Sequence, residues 1–336
     1  MIVSKSIINL ADDLQICRIL NGMWQVSGGH GQINPESAIL DMLEYHKSGL
    51  TTWDLADIYG PAESYIGEFR KRLFANDKGV LNTSQALTKF VPNPGPMTKS
   101  IVEYYIDQSL KKMNTDSLDL IQFHWWDYKN PSYLDAIDHL SDLCNKGKIK
   151  HLGLTNFDTA RVEIIVKKGF KIISNQVQYS ILDQRPEQLM IPFCQKHGIK
   201  LLTYGTLLGG FLSEKYLDLP NPHRSDLTTS SLQKYYNMID AWGGWNLFQE
   251  LLHTLSDISK EHDSSIANVS MKFILDKPTV AGIIIGVRLG ISEHRKDNLK
   301  VFDLNLNSED LSRINAVTKK SNNLFELIGD CGDEYR

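Results

Sequence analysis

The chain has 336 residues, with 40 acidic and 36 basic side chains, a net charge of −4, 42% apolar and 23% charged residues. That balance excludes a surface that coats nucleic acid and a polybasic membrane anchor, and the length buries a full core without disulfides. Cys17, Cys144, Cys194 and Cys331 are widely spaced with no CxxC pair. This usage fits a reducing, cytoplasmic compartment and no zinc site.

The N-terminus carries no apolar stretch followed by a small-residue cleavage site, so no signal peptide is expected. No run of about 18 apolar residues is present to span a membrane. In chain order, Ser6–Leu10 and Leu14–Ile19 read as a hairpin around Asp12 and Asp13, and Leu20–Gln25 as the first strand proper. Pro35–Lys47 has helical spacing and stops at Gly49. Strands are then expected at Leu50–Asp54, within Leu81–Phe90, and at Leu118–His124, Ile149–Leu154, Ile172–Gln178, Ile199–Tyr204 and Thr279–Ile285. The helices between them are expected at Pro61–Phe74, Ser100–Met113, Pro131–Asn145, Asp158–Lys167 with Asp158 as N-cap, and Pro186–His197. An irregular stretch, 205–232, precedes helices at Trp245–His262 and Ser265–Asp276. Helices at Glu293–Val301 and Ser308–Ser321 close the chain.

Counting from Leu20 gives eight βα units, which predicts an α/β fold: a parallel (β/α)8 barrel of the TIM type, spanning 1–336 as one domain. An open doubly wound sheet would call for GxGxxG after an early strand. Gly28-Gly29-His30-Gly31 has the wrong order for that, and no helix opens there at once.

In such barrels the active site lies at the C-terminal ends of the strands. Asp54 ends one strand, with Tyr59 five residues on; Lys89 and His124 end the next two. A tyrosine is a poor acid at neutral pH unless a neighbouring ammonium favours its phenolate. A carboxylate would hold that ammonium, and a histidine would orient a carbonyl. The set suits proton donation to a carbonyl oxygen. Nothing in the chain supplies hydride, so a nicotinamide cofactor is implied.

The segment GLTTWDLADIYGPAESYIGEF (49–69) resembles the aldo/keto reductase signature. Further matches follow in the family's order: GMWQ (22–25), LTKF (87–90), LIQFHW (120–125), HLGLTNF (151–157), NQVQYS (175–180), YGTLLGGFL (204–212) and IIIGVRLGISEHRKDNL (283–299). The resemblance implies an eight-stranded barrel with an N-terminal hairpin and a C-terminal extension, and reduction of an aldehyde or ketone to an alcohol with NADPH. Carried over, Tyr59 is the general acid, Asp54 and Lys89 tune it, and His124 orients the carbonyl. Asn156, Gln176 and Thr155 would hold the nicotinamide carboxamide, and Tyr204 would stack on its ring. Trp24, Gly205, Leu207, Gly286, Arg288, His294 and Asn298 complete the implied cofactor contacts. Trp24, Trp125 and Trp126 are the implied wall of the substrate pocket, with Trp24 and Trp125 preferred.

The sequence departs from the family pattern at Leu55, at Thr155, at Gly205-Thr206-Leu207 and around Gly286, His294 and Asp297-Asn298. Arg288, with Arg295 or Lys296, could meet a 2′-phosphate, which favours NADPH over NADH. The stretch 208–235 and the Trp242–Trp245 cluster are candidates for a lid, as is the tail 329–336. The resemblance extends to potassium-channel β-subunits, so a cofactor-binding regulatory subunit is the alternative to an enzyme. The expected ligand is a small carbonyl compound; neither nucleic acid, membrane nor metal is expected, and the sequence leaves oligomer formation open.

Overall fold

The computed structural model describes residues 5–28, 33–76 and 83–336. Gly29–Gly31 and the start of the expected 81–90 strand lie outside them. Eight parallel strands close into a ring: β3 (Ile19–Gly22), β4 (Thr52–Asp54), β5 (Gln85–Phe90), β6 (Leu120–His124), β7 (Leu152–Thr155), β8 (Ser174–Gln178), β9 (Lys200–Tyr204) and β10 (Val280–Gly286). Strand β10 closes it by pairing with β3, from Ile283 opposite Ile19 to Gly286 opposite Gly22. The (β/α)8 barrel expected from the βα count is therefore the fold.

Strands β1 (Ile7–Ala11) and β2 (Leu14–Cys17) form an antiparallel hairpin. Its Leu10, Leu14 and Ile16 pack on Leu20, Leu87, Leu120, Leu202 and Ala281 from the barrel strands. His151 Nε2 lies 2.7 Å from Asp13 Oδ1 and ties the hairpin turn to the barrel. Leu120, Gln122 and His124 follow at two-residue spacing, so one face of β6 runs from apolar floor to polar mouth. Ile121, Phe123 and Trp125 form the other face and join the core under the helices.

Helices α1 (Pro35–Lys47), α2 (Ala62–Asn76), α3 (Lys99–Lys112), α4 (Tyr133–Asn145), α5 (Thr159–Lys167) and α6 (Met190–His197) surround the ring. Asn34 caps α1 and Asp158 caps α5, each accepting a backbone N–H from three residues on. Gly67 lets α2 lie against the end of α3, since a Cβ there would come 2.1 Å from the Lys112 carbonyl oxygen.

The structure corrects several boundaries. Trp24 and Gln25 leave the first barrel strand and sit in a 3-10 turn. The expected 186–197 helix breaks at Gln188–Leu189 into a 3-10 turn and α6. The stretch expected as irregular to 232 and as lid to 235 is turns and short 3-10 pieces to 229, and its end runs into α7 (Ser230–Trp242), capped by Thr229. It buries Tyr235, Tyr236, Ile239 and Trp242, and Gly243-Gly244 join it to α8 (Gly244–Glu261). Trp242 and Trp245 are core residues, not a cover. After α9 (Ile266–Leu275) come α10 (Arg295–Leu299), α11 (Ser308–Thr318) and α12 (Leu324–Ile328). Among the described residues no helix is long and apolar enough to cross a membrane.

Candidate active site

Trp53 turns outward onto Tyr45 and Phe69, with ring centroids 6.0 and 5.6 Å apart, so its neighbour Asp54 faces the barrel interior. Lys89, at the end of β5, donates to Asp54 Oδ2 at 2.7 Å and to the Leu55 carbonyl at 3.0 Å. The other carboxylate oxygen accepts the amide N–H groups of Gln122 (2.9 Å) and Gln176 (2.7 Å). Gln176 also donates to Gln122 Oε1 at 2.7 Å. Asp54 and Lys89 are each only 3% exposed. A buried pair of this kind holds only when its remaining hydrogen-bonding capacity is met, and here Gln122, Gln176 and the Leu55 carbonyl meet it.

Tyr59 sits on the turn after β4, its N–H bonded to the Ala56 carbonyl at 3.1 Å. The Trp24 ring stands edge-on to it at 5.0 Å, and Lys89 Nζ lies 5.1 Å from its ring centroid. Among the described residues nothing hydrogen-bonds its hydroxyl. Burial, then the charge of Asp54, holds the phenol well above its ordinary pKa. The sequence suggested the reverse, an ammonium that lowers it. The ammonium is bonded to Asp54, whose charge offsets part of its pull on the neutral phenol, and Tyr59 is protonated.

His124 Nδ1 lies 3.0 Å from the Thr155 carbonyl, an acceptor, so Nδ1 carries the hydrogen. Burial pushes the ring's pKa down to about 4. The neutral ring therefore presents a lone pair at Nε2, which is buried without a partner. His124 was expected to orient a carbonyl; with the hydrogen on Nδ1, its Nε2 is available there as an acceptor.

Of the aromatic residues, Trp126 stands at 4.3 Å edge-on to His124 and is 37% exposed. Trp125, preferred from the sequence, is fully buried, and its indole N–H donates to the Asp127 and Asn130 carbonyls at 2.7 and 3.0 Å. Strand alternation explains the exchange: with His124 inward, Trp125 points out and Trp126 returns to the mouth. Trp24 is 40% exposed beside Tyr59.

The implied carboxamide contacts meet on β7 and β8. Asn156 has φ +58°, a left-handed conformation that asparagine tolerates better than most residues. Thr155 Oγ1 is buried without a partner. The Gln176 amide nitrogen is spent on Asp54 and Gln122, which leaves its carbonyl oxygen. A free hydroxyl beside a free amide oxygen suits a primary carboxamide, so these residues fit a nicotinamide. Tyr204 donates to Asn156 Oδ1 at 2.8 Å. Gly205 follows at φ +74°, where a Cβ would meet Tyr235 Oη at 2.7 Å. Leu207 is half-buried against the core.

The C-terminal segment, a lid candidate as a whole from the sequence but with no residue given a site role, lies over these side chains. The Tyr204 hydroxyl lies 3.2 Å from both Glu334 Oε1 and the Tyr335 hydroxyl. Arg185 donates to Asp183 at 2.8 Å and to Glu334 at 3.0 Å, nearly out of solvent. Arg336 donates to the carbonyls of Trp125 (2.8 Å) and Asn156 (2.9 Å) and stacks 3.8 Å over the Tyr128 ring. Tyr335 stands edge-on to both His124 and Trp126 at 6.3 Å. Cys331 is buried and its thiol is held well above its usual pKa by that burial, so it is unreactive.

The remaining implied contacts lie on the loop after β10. Arg288 and His294 are exposed, and Asn298 is buried in α10. Gly286 has no room for a longer residue while Gln25 stays in place, since a Cβ there would fall 2.0 Å from Gln25 Nε2. Arg295 is taken up by Asp41 and by Glu293 (3.2 Å), leaving Arg288 and Lys296 as candidates for a phosphate.

A closed parallel barrel with a polar, partly unpartnered cluster at the C-terminal mouth defines an enzyme of the (β/α)8 class. The sequence model of the Aldo/keto reductase family matches residues 18–319, and the chain belongs to that family of oxidoreductases. It is 26% identical over 259 residues to Flagellar radial spoke protein 5 of Chlamydomonas reinhardtii, covering 66% of this chain and 49% of that protein, about half of its length. It is 27% identical over 290 residues to the chloroplastic Pyridoxal reductase of Arabidopsis thaliana, covering 82% and 74% of the two chains. A crystal structure of a thermostable aldo-keto reductase in complex with the inhibitor epalrestat superposes with a TM-score of 0.69 at 24% identity, covering 90% of this chain and 96% of that one.

Proposed function

We propose that the whole chain works as one catalytic barrel that reduces an aldehyde or ketone to an alcohol with NADPH. The observation that carries this is the Tyr59 hydroxyl, protonated and unbonded above the buried Asp54–Lys89 pair. Tyr59 gives its proton to the carbonyl oxygen. Lys89, held by Asp54, faces the resulting phenolate and stabilises it. His124 Nε2 accepts the hydroxyl of the alcohol once the proton has moved. Trp24 and Trp126 flank the carbon skeleton. A bound nicotinamide supplies the hydride.

Thr155, Asn156 and Gln176 would hold the carboxamide and Tyr204 the ring, after Glu334 and Tyr335 release Tyr204 and Arg336 releases the Asn156 carbonyl. Arg288 is exposed and makes no ion pair among the described residues, which supports a 2′-phosphate and hence NADPH over NADH. Four free cysteines support work in a reducing compartment, the cytoplasm.

The test is NADPH oxidation across aldehydes, quinones, keto-sugars and pyridoxal, the last suggested by the plant relative, with a fluorescence titration of both cofactors. Turnover of at least one carbonyl class is expected. Tight NADPH binding with no turnover of any would overturn the enzyme reading in favour of the regulatory-subunit alternative.

A further inference from the structure

One half-buried carboxyl beside the site, with one oxygen fully buried, has no role in this scheme. Asp57 lies two residues before Tyr59, on the turn that presents it. Its backbone N–H donates to the Lys89 carbonyl at 3.1 Å, and its Oδ2 accepts the Val91 N–H at 3.2 Å. The residue therefore grips the end of β5 on both sides of Phe90. Its Oδ1 is buried with no partner.

Among the described residues no cation pairs with it. On β5, Lys89 is paired with Asp54; at the end of α3, Lys112 is paired with Glu63 at 3.3 Å. Glu63, at the start of α2, is 1% exposed and accepts the Thr88 hydroxyl at 2.9 Å. Asp57 thus faces Glu63, Lys112, Lys89 and Tyr59. An ionised carboxylate with one orphaned oxygen in such a place is costly, and protonation relieves it. Burial, with a further push from Glu63 and relief from the Val91 N–H and Lys112, raises its pKa to about 6.

Building on Tyr59 as the proton donor, we propose that Asp57 is a positioning residue: it ties the turn bearing Tyr59 to the strand bearing Lys89, and taking up a proton makes the Tyr59 hydroxyl a stronger acid. The sign follows from the charges. Ionised Asp57 raises the pKa of both Tyr59 and Lys89. Neutralising it lowers the phenol's pKa, while Lys89 keeps its partner in Asp54. Proton donation then quickens as pH falls through about 6.

Asp57→Asn keeps the shape and the acceptor for Val91 and removes the charge. With 13C-labelled aspartate, the protein without cofactor should show a carboxyl titrating near pH 6 that vanishes in the variant. In the wild type, kcat/KM for reduction should rise about threefold as pH falls across that range, for a change of about one unit in the phenol half-expressed in the transition state. The variant should be flat at the higher level, and Asp57→Glu should restore the rise. No carboxyl titrating near pH 6, or the same rise in Asp57→Asn, would overturn the inference while leaving the reductase reading intact. A protein that binds NADPH and reduces nothing would overturn both.

Discussion

The two ends of the proposed cofactor path are built on opposite plans. At the mouth formed by β4, β5, β6 and β8, Asp54, Lys89, Gln122 and Gln176 are buried and bonded to one another within 3 Å. On the loop after β10, Arg288, His294 and Lys296 lie open to solvent. On the proposed reductase reading, the contrast matches what each end would do. Proton transfer depends on sub-ångström placement in low dielectric, so its groups are fixed before a ligand arrives. Recognition of a phosphate by a long cation is a charge interaction that tolerates motion. Substitutions at the mouth should therefore change rate or stability, and those on the loop affinity alone.

The largest effect is expected at the donor. Tyr59→Phe should lower carbonyl reduction at least about a hundredfold, while NADPH binding, read by fluorescence quenching, stays within about twofold. Unchanged turnover would remove Tyr59 from the chemistry.

Next comes the pair of tryptophans, which sit one residue apart on opposite faces. Trp125→Ala should cost about 3–5 kcal/mol in urea unfolding. Trp126→Ala should cost under about 1 kcal/mol and raise KM about tenfold. The opposite pattern would mean that the faces of β6 are misassigned.

The third concerns pH. His124 titrates near 4 when folded, against 6.5 for the ordinary side chain, so the unfolded chain binds the proton more readily. Its contribution is complete above about pH 6.5 and is lost as pH falls to about 4, roughly 3 kcal/mol in all. The slope of unfolding free energy over that range should be shallower in His124→Asn, and equal slopes would refute the burial argument.

The smallest effect belongs to the open end. Arg288→Ala should weaken NADPH about tenfold and leave NADH within about twofold. Arg295→Ala should leave the ratio unchanged, since its guanidinium is held by Asp41 and Glu293.

The strands and the four strand-end residues were legible because a βα alternation and a period of two survive in any one sequence. The same period, applied past His124, would have chosen Trp126 over Trp125; family likeness overrode it. Helix α7 was hidden by the serines, glycines and prolines before it, though Leu232, Tyr235, Tyr236, Ile239 and Trp242 have helical spacing. Gln122 was findable as the inward residue between Leu120 and His124. The Arg295–Asp41 contact was not, because its partners lie far apart in the chain. The docking of Arg336 was equally hidden, since it seizes backbone carbonyls, which no residue type announces.

That last contact has a practical side. Arg336 is engaged with the carbonyls of Trp125 and Asn156, so anything fused after it begins at the catalytic mouth. An affinity handle placed there would report on a perturbed enzyme. The hairpin on the barrel floor, at the opposite end of the barrel from that mouth, is the side for a handle, a fluorophore or a surface tether.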